Sequence, residues 1–168
     1  HAQILLAQAE VQSALEILTR ITSPESVLES ASDLQAKILL GKINVALGQI
    51  SSGLILLQEA AHTNPQSIEA YQALAEAYLA SNLTEETLQT AKFAREMASP
   101  KLKTLLWYAQ IAWLCNAFAE TINALEQAIH LNPKNIGLWN QIAHVHNKIG
   151  EPEEARQDLL RILNHPEA

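Results

Sequence analysis

The sequence predicts an all-α fold of stacked antiparallel helix pairs, and three observations predict it. Hydrophobic residues supply 48% of the chain but aromatics only 5%, so the apolar content is Ala, Leu and Ile, which suit closely packed helices. Five glycines and six prolines are too few for an all-β chain rich in turns. Helix stops also recur at a fixed interval. Asn64-Pro65 and Asn132-Pro133 lie 68 residues apart, and Ala98-Ser99-Pro100 falls at the midpoint, one residue out of register.

Half that interval, 34 residues, sets blocks at 34–67, 68–101, 102–135 and 136–168, the self-similarity of a repeat architecture. In each block the first helix carries a core stripe. Its fourth position reads Lys37, Tyr71, Leu105 and Trp139; its seventh and eighth read Leu40-Gly41, Leu74-Ala75, Tyr108-Ala109 and Ile142-Ala143; its eleventh reads Asn44, Tyr78, Ala112 and His146. These positions share one face of a 3.6-residue helix. The fifteenth position, Gly48, Asn82, Asn116 and Gly150, is a turn, because Gly and Asn tolerate positive φ best. The second helix follows with small residues at its crossing points. Position twenty reads Gly53, Thr87, Thr121 and Ala155, and position twenty-seven reads Ala60, Ala94, Ala128 and Ile162. The proline near position 32 ends that helix and opens the next.

Residues 1–23 read as a turn and second helix, Leu5 to Glu16, of a repeat whose first helix is cut short. Between Pro24 and Leu34 the chain carries about seven residues more than the period requires. Val27, Leu28, Ala31 and Leu34 keep helical spacing behind a Ser23-Pro24 start, which predicts a repeat over 24–67 with a lengthened first helix, a loop being the other reading.

At these residues the chain resembles the tetratricopeptide repeat family, whose pattern is Trp-x2-Leu-Gly-x2-Tyr, then Ala-x3-Phe, then Pro. Trp139, Ile142, Ala143, Gly150, Ala155, Leu159 and Pro166 carry the best match, and Leu40-Gly41 and Tyr71-x2-Leu74-Ala75-x2-Tyr78 carry partial ones. The resemblance covers nearly the whole chain and implies one right-handed α-solenoid over 1–168. Asn44 departs from it, standing where a core aromatic is usual. The resemblance further implies a concave face lined by first helices at positions 2, 6, 9 and 13. That places Leu39, Lys42, Ala73, Glu76, Ala80, Lys103, Trp107, Gln110, Leu114, Gln141 and His144 in a peptide-binding groove. Helix 102–115 is apolar on nearly every face, which an uncovered helix should not be. Leu106 and Trp113 are expected to seal against neighbouring helices, and Trp107 and Leu114 to stay in the groove. The Lys, Asn and Arg clamp with which some relatives hold chaperone carboxylates is absent, since Ile38, Lys42, Gln72 and Glu76 stand at the relevant positions.

Composition and motifs narrow the function classes. Eleven Lys and Arg stand against eighteen Asp and Glu, a formal charge of -7, and without a basic run nucleic acid and anionic membrane are poor partners. No apolar run reaches the roughly 20 residues of a spanning helix. The one cysteine, Cys115, can form no internal disulfide, which favours a reducing compartment or indifference to redox, and a cytoplasmic location is expected. With no initiator Met and no signal peptide, the chain reads as a piece of a longer one.

Catalytic groups do not converge. His144 and His146 lie about 200° apart around a helix and cannot share a metal. His62 and His130 suit helix C-termini, and Glu85-Glu86 and Glu153-Glu154 suit helix N-termini. Cys115 is expected to be a small core residue, and Asn82-Leu83-Thr84, a sequon in form, a turn. No enzyme activity, cofactor or metal is expected. The readings left are a scaffold holding a peptide or helix in the groove, or an oligomerisation segment of a larger assembly. The second rests on uncapped ends, where Leu159, Leu160, Ile162 and Leu163 cannot all face inward.

Overall fold

The computed structural model describes residues 31–99 and 101–163, and all regular structure among them is helical. The order is α1 (Ala31–Ala46), α2 (Ile50–Thr63), α3 (Ile68–Ala80), α4 (Thr84–Met97), α5 (Leu102–Leu114), α6 (Phe118–Leu131), α7 (Ile136–Ile149) and α8 (Pro152–Leu163). This is an all-α helical repeat fold. The truncated opening repeat, and the lengthened helix as far as position 30, lie outside the described residues.

The period appears directly in the backbone. Gly48, Asn82, Asn116 and Gly150 take φ of 79°, 57°, 58° and 87°, so each turn uses a residue that tolerates the left-handed region. His62 and His130 fall in the last turns of α2 and α6, and Glu85-Glu86 and Glu153-Glu154 fall in the first turns of α4 and α8, where carboxylates complement the helix dipole.

The chain divides into two compact units, His1–Thr90 and Ala91–Ala168, with the division inside α4. In the first, α2 packs on α1, and α3 packs against both. Ile38, Leu57, Ala60, Ala61, Ala70, Ala73, Leu74 and Ala77 form its core, edged by Val45, Tyr71 and Tyr78. The α1–α2 crossing is unusually close. A Cβ added to Gly53 would stand 2.6 Å from Val45 Cγ2 and 2.7 Å from the Gly41 carbonyl oxygen. Asn44 is buried beside this crossing, so the small residue at the aromatic position accompanies two glycines where other pairs carry Ala and Thr.

In the second unit α5, α6, α7 and α8 pack in succession. Leu105, Tyr108 and Ala112 of α5, Leu125 and Ala128 of α6, and Leu138, Ile142 and Ala143 of α7 are all buried. His146 faces inward, where its Nδ1 lies 2.8 Å from Asp158 Oδ2, and Arg161 Nη1 donates to Asp158 Oδ1 at 2.8 Å. The buried carboxylate is satisfied by two partners and ties α7 to α8.

Candidate peptide-binding grooves

Each unit carries a groove between successive first helices. In the first unit, α1 supplies Gln35, Ala36, Ile38, Leu39 and Lys42, and α3 supplies Glu69, Gln72, Ala73 and Glu76, around about 590 Å³. Polar pairs stitch its rim: Gln35 Nε2 donates to Glu69 Oε2 at 2.7 Å, and Lys42 Nζ lies 3.1 Å from Glu76 Oε2. Ala73, 3% exposed, is core and floor at once, while Leu39 is 50% exposed above it. Four residues placed in the groove from the sequence, Leu39, Lys42, Ala73 and Glu76, therefore meet in one hollow. Ala80 is exposed and outside its lining.

In the second unit a groove of about 570 Å³ is lined by Leu106, Ala109, Gln110 and Trp113 of α5, Thr121 and Leu125 of α6, and Asn140, Gln141, His144 and Val145 of α7. It contains no Asp, Glu, Lys or Arg. Trp113 forms its aromatic wall, edge-on to Phe118 at 5.5 Å and tilted against the His144 ring at 5.3 Å between centroids. Gln110, Gln141 and His144 are brought together here. Lys103, Trp107 and Leu114 are not part of the lining; Trp107 is half-buried and Leu114 is 52% exposed.

Leu106 and Trp113, expected to seal helix contacts, instead border the hollow, as does Asn140. The reason is angular. Positions 5, 9 and 12 of a block are spaced four and three residues apart and form a single stripe. Positions 6 and 13 each lie about 100° further round the helix. Helical spacing carried this signal, but α5 is apolar almost all round, so composition could not say which apolar stripe faces the groove.

Two titrating groups flank this region. Burial, with the Glu120 hydrogen bond next, pushes Tyr108 up to about 12. Burial also raises the Cys115 thiol above its ordinary value, which disfavours the thiolate; Cys115 is the half-buried C-cap of α5. Among the described residues no cluster of three or more His, Cys, Asp or Glu could hold a metal ion, and no helix is long and apolar enough to cross a membrane.

Residues 124–157, from α6 through α7 into α8, match the tetratricopeptide repeat family. Among solved structures, a crystal structure of MamA aligns with a TM-score of 0.71 at 15% identity, over 94% of this chain and 89% of that one. MamA of strain MSR-1 aligns with 0.68 at 17% identity, over 94% and 87%. Residues 41 to the end of MamA from Desulfovibrio magneticus RS-1 align with 0.68 at 14% identity, over 96% and 88%. At these identities the likeness is one of fold. No curated protein matches the sequence.

Proposed function

We propose that this chain, a tetratricopeptide repeat protein, is an interaction scaffold that holds a peptide or helix of another protein in the groove between α5 and α7. Stacked helix pairs of this kind present extended concave binding surfaces. One observation carries the reading: the groove joins an apolar lining, Leu106 and Trp113, to neutral hydrogen-bonding groups, Gln110, Asn140 and Gln141. Apolar surface supplies affinity, and a few placed polar groups fix register. With no Asp, Glu, Lys or Arg in the lining, such a site suits a partner segment whose buried side chains are apolar and whose backbone or amides meet the glutamines and the asparagine.

Peptides selected from a random 12-residue display library on the intact protein provide the probe. Trp113→Ala should weaken their binding by about 2 kcal/mol, roughly 30-fold, as an aromatic anchor does. Because Trp113 also packs on Phe118, the exposed Gln141→Arg serves as a second variant expected to weaken binding without touching the core. Full affinity in both variants would reject this groove, and retention in both with loss in Trp107→Ala would return the site to the Trp107 face.

A second reading, self-association through the last helix, is favoured by the exposure of its apolar face. Leu159 is 45% and Leu163 74% exposed. Their repeat equivalents Leu125 and Ile129 are 2% and 8% exposed, and α7 packs on that helix.

A further inference from the structure

Around the turn between α4 and α5 the chain departs from its repeat equivalents, and three of the departures add a cation or a hydrogen-bond donor. Arg95 stands where other blocks carry Ala61, Ile129 and Leu163, and Ala61 and Ile129 are buried core. Ser99 replaces Pro65 and Pro133, and Lys101 replaces Ser67 and Asn135. At the start of α3, Ser67 Oγ accepts from the Ala70 amide at 3.2 Å. At the start of α5, Lys101 has no acceptor to offer and makes no side-chain cap bond, so the first amides of that helix gain nothing from their cap residue.

Arg95 itself is held in place and left unsatisfied. Its guanidinium stacks on the Tyr108 ring, 4.7 Å from the centroid. Among the described residues its Nη1 is buried with no hydrogen-bond partner, a costly state for a charged donor. On the same tyrosine, the hydroxyl donates to Glu120 Oε2 at 3.0 Å. Arg95, Ser99, Lys101, Thr104 and Gln127 border a cavity of about 150 Å³, in which Glu96, exposed to solvent, is the one acid.

We propose that this cavity is an oxyanion site that takes a single carboxylate or phosphoryl group, with Arg95 as its anchor. A guanidinium fork matches the oxygens of either group, and Lys101 adds a second charge. The Ser99 and Thr104 hydroxyls, the Gln127 amide and the positive end of α5 supply further donors. The volume fits one such group and is well below the roughly 300 Å³ at which pockets for whole small molecules begin, so the ligand is a group carried on a larger partner or a small free ion. The cavity shares no lining residue with the α5–α7 groove, so the two sites stand or fall separately.

Titrating the intact, isotope-labelled protein with inorganic phosphate and, in parallel, with acetate tests the site, ionic strength being held constant with chloride. Saturable shifts of the Arg95 side-chain N–H and the amides of Lys103 and Thr104 are expected with at least one anion, and the anion that saturates assigns the class. Arg95→Met restores an apolar residue like its repeat equivalents and should weaken binding at least tenfold while the circular dichroism spectrum stays helical. If that variant fails to fold, the exposed Lys101→Gln should weaken the same titration several-fold and decides by the same criterion. Unsaturable shifts with both anions, or variants that titrate like the parent, overturn the proposal.

Discussion

Tyr108 is 1% exposed, its hydroxyl donates to Glu120 Oε2 at 3.0 Å, and Arg95 covers its ring. Burial and then the Glu120 hydrogen bond favour the neutral phenol and, against the opposing Arg95 charge, push its pKa from 10.0 up to about 12. An unfolded chain would ionise the same group near 10. The stability gained from the neutral phenol is therefore complete below pH 10 and is lost as pH rises through 10 toward 12. Thermal melts at pH 9 and pH 11 should show a larger fall in melting temperature for the parent than for Tyr108→Phe, which has no proton to lose. Equal falls would mean that this phenol is not protected as described. The sequence indicated that Tyr108 is core, at position seven of its block. It could not indicate Glu120 as the partner, because that pairing depends on how α5 crosses α6. The same limit applied to His146: its inward placement followed from position eleven, whereas Asp158 and Arg161 emerged only from the packing of α8 on α7.

At the scale of helices, the period read from the stops and turns placed every described element from α2 onward within a few residues, because apolar spacing and left-handed turn residues are local signals. Crossing distances are less local. The pair α1–α2 is the one in which both small-residue positions are glycine, Gly41 and Gly53. Gly53→Ala would bring a methyl to 2.7 Å from a backbone oxygen, which cannot rotate aside. Overpacking of this kind costs about 1–3 kcal/mol, set against the roughly 0.5–1 kcal/mol that Ala gains over Gly within a helix. A net loss of stability in urea unfolding is the expected outcome; a more stable variant would show that α1 and α2 separate easily. The groove lining fell between these cases. The sequence assigned first helices to its walls and named Trp107 in α5, whereas Trp113 lines the hollow, since a helix apolar on nearly all faces does not declare its orientation.

For the molecule as a whole, a repeat array buries each helix face against its neighbour, and an apolar face with no helix beside it stays exposed. At α8, Leu159, Ile162 and Leu163 border a hollow of about 460 Å³ together with Ile136 of α7. Leu159→Glu with Leu163→Glu should shift any oligomer toward monomer in light scattering and leave peptide binding at the α5–α7 groove unchanged, since neither leucine lines that groove, although Asn140 borders both hollows. An unchanged mass for an oligomeric parent would place self-association elsewhere. Whether the groove takes a partner segment is answered by mapping a display-selected peptide on the intact protein by nuclear magnetic resonance. Saturable shifts confined to the Trp113 indole N–H, the Leu106 methyls and the side-chain amides of Gln110, Asn140 and Gln141 are predicted, and shifts that spare all of these while moving other surfaces would contradict the groove assignment.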